Sequence, residues 1–211
     1  MAEARKHTLS PSAWNRFETC PRMYWLSRQR LPRKAGMAAS VGTAVHASVE
    51  DLLQLDLSGR KPDETHWLPE IAESFLKVRW EEEKKVFLST PRRPMWKEKE
   101  WDKAKKMQRG AIKMLLEFVG ASGVTPLKTT VALWKSLLSR VIAVEGELRT
   151  SDDRLMGRLD MLFADVSDDG SLNGWIVADL KTGRAPEKEL KAEVQRQLLL
   201  YSCLLYTSPS P

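Results

Sequence analysis

The sequence predicts an α+β fold, a mixed α/β arrangement in which helices cover a short antiparallel sheet. Three observations predict it. Apolar residues recur at helical spacing up to about residue 120, alternate singly between residues 141 and 181, and return to helical spacing near the C-terminus. The alternating runs are joined by short connections, which suit hairpins rather than crossovers. The 211 residues are 42% hydrophobic and 29% charged, proportions that let a chain bury a core rather than stay disordered.

Taken in order, Ser10-Pro11-Ser12 followed by Ala13-Trp14-Asn15-Arg16-Phe17 predicts a capped short helix that stops before Cys20-Pro21. Residues 40–56 predict a second helix, with Val41, Val45, Val49, Leu52 and Leu53 at helical spacing. Residues 57–65, LSGRKPDET, form a loop. Two charged amphipathic helices follow over 66–88 and 97–120, separated by STPRRP. Trp67, Phe75, Val78, Trp80 and Val86 are the apolar positions of the first, and Met107, Ile112, Leu115, Leu116 and Phe118 those of the second. Residues 141–149, 154–166 and 174–181 predict the three strands of a meander, with a turn at Ser167-Asp168-Asp169-Gly170. Residues 187–205 predict a last helix packed over the sheet.

Several classes of function are excluded. No apolar run approaches the roughly 18–20 residues needed to cross a bilayer, and the first ten residues hold no apolar segment of a secretory leader. Two cysteines build no disulfide framework, so a reducing, intracellular setting is expected. The net charge of +6 is unevenly placed. Residues 1–35 hold eight basic and two acidic side chains, so the whole excess lies there and the remainder is neutral. Trp14, Phe17, Tyr24 and Trp25 are interleaved with those basic groups, a combination that suits a polyanion such as nucleic acid. The plain alternative is a basic surface with its aromatics in the core.

The chemistry-bearing residues lie in the strands. Alternation puts Trp175, Val177, Asp179 and Lys181 on one face of the third strand. Asp160 faces away from the apolar row of Leu159, Met161 and Phe163 on the second. If these strands pair as a hairpin, Asp160 and Asp179 come close together. Two adjacent carboxylates repel unless a cation or a shared proton intervenes, and a hard divalent cation with oxygen ligands resolves the repulsion. Lys181 could then orient an attacking water or offset charge developing on a phosphate. Gly42, His46 and Glu50 share one helix face, and His46 could supply a further ligand. A partly buried structural histidine is the plainer reading. Gln197 and Tyr201 are likewise one turn apart on the last helix.

Together these residues resemble the PD-(D/E)XK nuclease superfamily, in particular its RecB-like branch, which includes CRISPR-adaptation exonucleases and the nuclease domains of helicase–nucleases. The resemblance runs from Leu9 to Tyr201. It rests on five motifs in order: the LSPSAWNRFETCPRMYWL opening, Gly42-Thr43-Ala44-Val45-His46, Gly157-Arg158-Leu159-Asp160, Asp179-Leu180-Lys181 and Gln197-Leu198-Leu199-Leu200-Tyr201. The resemblance implies a restriction-endonuclease-like central sheet flanked by helices, with residues 64–139 as a helical insertion. It implies that His46, Asp160, Asp179 and the Leu180 carbonyl hold Mg²⁺ or Mn²⁺, that Lys181 is the catalytic lysine, and that Gln197 and Tyr201 position the site or the DNA strand. It implies DNA as substrate, no membrane, a helicase or CRISPR-adaptation proteins as partners, and the cytoplasm of a bacterial, archaeal or virus-infected cell.

Many members of that branch bind a [4Fe–4S] cluster through an N-terminal cysteine before proline and three C-terminal ones, which makes Cys20 a cluster ligand by resemblance. Four thiolates are needed, and this chain has only Cys20 and Cys203, so the cluster cannot be completed here, although a full-length protein could hold the other three cysteines beyond residue 202. The plain alternative for Cys20 is a buried thiol. Residues 203–211 resemble the translation of a sequencing-library adapter, which implies a single nuclease domain over 1–202, truncated at its C-terminus, and an artefactual tail. The expected activity is metal-dependent hydrolysis of DNA phosphodiesters, as an exonuclease on single-stranded or frayed DNA. A non-catalytic DNA-binding or scaffold module of a recombination, repair or CRISPR-adaptation complex is the alternative, and an interaction protein working through its helical insertion is another.

Overall fold

The computed structural model describes residues 8–29, 31, 36–90, 95–167, 169–182 and 189–207. The chain forms two compact units: Met1–Leu31 with Ile142–Asp179 and Gly183–Pro211, and Pro32–Val141 with Leu180–Thr182. The described residues carry seven α-helices and a three-stranded sheet, so the α+β class holds.

The first unit holds the sheet. Helix α1 (Pro11–Thr19) starts where the sequence predicts, with the Ser10 hydroxyl accepting the Ala13 N–H at 3.2 Å and Pro11 in the first turn. A second short helix, α2 (Pro21–Arg28), follows after Cys20 alone and was not anticipated. Pro21 sets its first turn just as Pro11 sets that of α1. Cys20 is exposed at this junction, which does not suit the alternative of a buried thiol. Strands β1 (Val141–Arg149), β2 (Met156–Val166) and β3 (Leu172–Ala178) lie in the order β1-β2-β3, the predicted meander. β2 and β3 are antiparallel, with Met161 opposite Ala178 and Phe163 opposite Ile176. In β2, Leu159, Met161, Leu162 and Phe163 are all buried, so simple alternation fails in this central strand because both of its faces are covered. Helix α7 (Ala192–Thr207) packs on β2, and Leu148, Leu159, Leu162, Tyr201 and Leu204 form the core between helix and sheet. Residues 203–207 continue α7, and Leu204 is among its most buried side chains. Residues 187 and 188, predicted to begin this helix, lie outside the described residues.

The second unit is helical. Helix α3 (Met37–Leu53) begins and ends three residues earlier than its apolar pattern suggested. It packs on α4 (Trp67–Leu88) and α5 (Trp101–Phe118), with Val41, Val45, Leu76, Trp80 and Ala104 at the centre. Trp80 meets Trp96 and Trp101 edge-on, with ring centroids 4.7 and 5.3 Å apart. Val78 and Val86 are exposed, while Leu68, Ala72, Leu76 and Phe87 take the buried positions of α4. Arg79 grips Asp51 with two hydrogen bonds, at 2.8 and 2.6 Å, tying α4 to α3. Buried Gln108 donates to the Ser48 hydroxyl at 3.0 Å and the Ala72 carbonyl at 2.7 Å. A further helix, α6 (Val131–Leu138), is capped by the Thr130 hydroxyl and was not anticipated. Residues 91–94, within the predicted STPRRP break, lie outside the described residues. No helix among the described residues is long and apolar enough to cross a membrane.

Candidate active site

In the sheet-bearing unit the predicted residues of β2, α7 and the end of β3 are joined by hydrogen bonds. Tyr201 is buried on α7 and lies against Gly157. A Cβ at position 157 would stand 2.7 Å from the Tyr201 ring, so the motif's glycine is required by close approach of a helix to a strand. The Tyr201 hydroxyl donates to the Arg158 carbonyl at 2.6 Å. One turn earlier, Gln197 Nε2 donates both to that hydroxyl and to Asp179 Oδ1, each at 2.9 Å. The spacing of four residues puts the amide and the phenol on one helix face. A continuous line therefore runs from the β2 backbone through Tyr201 and Gln197 to Asp179. Asp179 Oδ2 is also buried.

The β2–β3 register runs Leu162 to Val177 and ends with Met161 opposite Ala178, the chain neighbours of Asp160 and Asp179. The strand itself ends at Ala178. Asp179 and Lys181 thus lie beyond β3 rather than on one face of it, a correction to the sequence-based expectation. The physical reason is that the Asp179 carboxylate is held by Gln197 of α7, a partner outside the ladder.

Glu145 joins this group and was missed by the sequence analysis. One of its carboxylate oxygens lies within 4.8 Å of one on Asp160, and its Oε2 is 2.5 Å from Arg158 Nε. Its φ of 53° places a non-glycine residue in the left-handed region inside β1. That bend, followed by Gly146, breaks the period-two reading that made Glu145 look like an ordinary strand position. The adjoining Glu-Gly pair was the available signal. Burial pushes the Tyr201 phenol above its usual range, Asp179, Asp160 and Glu145 push it further, and only the Gln197 hydrogen bond opposes them. The shift favours the protonated phenol, the form that donates to the Arg158 carbonyl.

The donor set suits a hard cation. Asp160 and Glu145 offer carboxylate oxygens within 4.8 Å of each other, a separation compatible with two ligands of one ion at about 2.1–2.5 Å each.

In the helical unit, Gly42 and half-buried His46 lie one turn apart on α3. A Cβ at Gly42 would stand 2.8 Å from Thr182 Oγ1, so the segment Leu180–Thr182 runs against α3 at the turn before His46. Leu180 is buried and Lys181 exposed. Both motif glycines thus admit another part of the chain that carries, or adjoins, a predicted site residue.

A family model for the PD-(D/E)XK nuclease superfamily matches residues 8–210. No curated protein and no solved structure matches the chain.

Proposed function

The chain belongs to the PD-(D/E)XK nuclease superfamily, and on that premise we propose that it is a metal-dependent deoxyribonuclease, an exonuclease acting on single-stranded or frayed DNA. The order of its five motifs supports the RecB-like branch. The observation that carries the reading is the hydrogen-bonded line from Arg158 through Tyr201 and Gln197 to Asp179, which ties one acid to the strand that carries the other. A purely structural sheet has no need to hold the carboxylates of Glu145 and Asp160 within 4.8 Å of each other.

In this reading Asp160 and Asp179, with His46 and the Leu180 carbonyl, hold Mg²⁺ or Mn²⁺. Such a cation, when bound, polarises a phosphoryl oxygen and favours deprotonation of water. Lys181 orients the attacking water and offsets the negative charge that grows on the phosphate. Gln197 fixes the Asp179 carboxylate, and Tyr201, kept protonated, fixes the backbone that carries Asp160. Both act by positioning rather than by proton transfer. A [4Fe–4S] cluster does not fit this chain, because exposed Cys20 and Cys203 are its only two cysteines and four thiolates are required.

The test is digestion of end-labelled single-stranded and duplex DNA in Mg²⁺, Mn²⁺ or EDTA, with Lys181→Ala prepared in parallel. Metal-dependent cleavage that disappears in Lys181→Ala is expected. Cleavage that persists in EDTA, or at the wild-type rate in Lys181→Ala, would refute the assignment.

A further inference from the structure

We propose that the α1–α2 hairpin is a stacking platform for single-stranded DNA, with Trp14, Phe17 and Trp25 receiving bases and Arg16, Arg22 and Arg28 receiving phosphates. The inference rests on the nuclease reading and names the surface that would hold its substrate.

The hairpin leaves large rings in solvent. Trp14, Phe17 and Trp25 are 39, 50 and 60% exposed, although each belongs to a well-formed helix. Trp14 and Phe17 are three residues apart and neighbours on the α1 surface. Phe17 meets Tyr24 of α2 edge-on, with centroids 5.8 Å apart, and the Arg28 guanidinium lies 5.9 Å from the Tyr24 ring centre. Rings and guanidinium groups therefore continue from one helix to the other. Trp14 donates its indole N–H to Glu18 at 3.2 Å, which restrains the ring without covering it. Exposed aromatics of this size are uncommon on a surface that binds nothing.

Charge selects the occupant. The whole net charge of +6 lies in residues 1–35, and Pro11–Arg28 carries three arginines against Glu18 alone. Aromatic faces between cations fit unpaired bases strung on a phosphate backbone. Bases inside a duplex have no free face to offer.

Anchoring ties the platform to the acids within the same unit. Leu9 N–H donates to the Arg154 carbonyl at 2.8 Å and Met156 N–H to the Leu9 carbonyl at 3.0 Å, at the start of the strand that carries Asp160. On the other side, Asn15 Nδ2 donates to the Glu193 carbonyl at 3.1 Å and Arg196 Nε donates to Asn15 Oδ1 at 3.0 Å. The next residue, Gln197, holds Asp179. A strand stacked on the hairpin is thus held by an element fixed to the strand that carries Asp160 and to the helix that holds Asp179.

The experiment measures fluorescence anisotropy of a labelled 20-nucleotide oligo-dT and of a blunt duplex, in EDTA so that nothing is cut. It compares the wild type with Trp14→Leu, Trp25→Leu, Trp25→Phe and Arg22→Gln, each checked by thermal melting. Each Trp→Leu change should weaken oligo-dT binding about tenfold and duplex binding much less, while Trp25→Phe, which keeps a ring, should recover most of the loss. Arg22→Gln should reduce the slope of log affinity against log salt by about 0.7. Equal oligo-dT affinity in all folded proteins overturns the platform, and with metal-dependent cleavage intact in the wild type it leaves the nuclease reading standing. Tryptophan-dependent strand binding without any cleavage supports the platform and counts against the nuclease reading. A tryptophan-dependent change in self-association in place of strand binding, read by sedimentation, overturns the platform in favour of a protein interface.

Discussion

Replacing Gly157 with alanine places one methyl group between β2 and α7. That Cβ would lie 2.7 and 2.9 Å from two carbons of the Tyr201 ring and 2.9 Å from Leu204 Cδ1. Carbon atoms rest at about 3.5–4.0 Å, so the helix must retreat by close to an ångström or the ring must turn. Tyr201 has little freedom to turn, since its hydroxyl donates to Arg158 at 2.6 Å and accepts from Gln197 at 2.9 Å. Leu204 is equally confined, being 1% exposed. Overpacking of a filled core costs about 1–3 kcal/mol, and a strained or broken hydrogen bond adds about 1 kcal/mol. A loss near 2–4 kcal/mol in a chain of this length lowers Tm by roughly 4–16 °C. Thermal unfolding followed by circular dichroism measures it. The decisive control is the double mutant Gly157→Ala/Tyr201→Ala, in which the ring is gone and the added methyl should cost far less than it does alone. An unchanged Tm in Gly157→Ala, or the same loss in both backgrounds, would show that the contact between strand and helix is not what demands glycine.

Gly42→Ala should destabilise by about 1–3 kcal/mol through the 2.8 Å approach of Thr182 Oγ1, and Thr182→Ala in the same chain should restore most of the loss in a thermal melt. Tyr201→Phe should cost about 1 kcal/mol at neutral pH, read by urea titration, because it removes the donor to the Arg158 carbonyl. The same variant carries a pH signature. The Tyr201 phenol is shifted upward in the folded protein, so its contribution is complete below the unfolded value of about 10 and is lost as pH rises through the higher folded value. Stability should therefore fall more gently above pH 10 in Tyr201→Phe than in the wild type, and parallel curves would contradict the assignment. Glu145→Gln should weaken Mn²⁺ binding about tenfold, and so lower the Mn²⁺-induced stabilisation by about 1.4 kcal/mol in saturating metal, if the carboxylate beside Asp160 contributes charge to the cation. An unaltered thermal shift would count against Glu145 as a ligand of the cation.

These experiments probe residues whose roles differ in how far the sequence discloses them. The meander, the cap at Ser10 and the core helices follow from local rules: a period of two or 3.6, a proline in the first turn, a hydroxyl before it. Helix α6 was within reach of the same rules, since Thr130 caps it, but its eight residues are too few for a periodic signal to stand out beside the longer helices. Glycines 42 and 157 were legible as motif positions but not as physical necessities. What excludes a side chain there is Thr182 in one case and Tyr201 with Leu204 in the other, each more than forty residues away in the chain. The end of β3 at Ala178 was illegible for a related reason. Alternation continues through Lys181 in the sequence, while the ladder stops where Gln197 draws Asp179 to α7.

The same contrast explains why Glu145 escaped attention while Asp160 did not. Asp160 sits in regular strand geometry, next to the last paired rung of β2 and β3, where alternation sets its face. Glu145 reaches Asp160 through a left-handed residue, and no pairing rule propagates through that bend. A carboxylate set in strained backbone, 22% exposed and gripped by Arg158, costs stability that an ordinary strand residue would not. Arg158 belongs to the Gly-x-x-Asp motif and contributes two groups to the line of contacts, its carbonyl to Tyr201 and its guanidinium to Glu145. Its side chain is 65% exposed, so the ion pair itself adds little stability. Its consequence is geometric. Arg158 holds Glu145 on one side and Tyr201 on the other, so a shift of α7 that moves Gln197 and Asp179 is felt at Glu145 as well. Gly157→Ala, which pushes on Tyr201, should therefore also reduce the Mn²⁺-induced stabilisation that Glu145→Gln reduces, and the two changes combined should lose less than the sum of their separate losses.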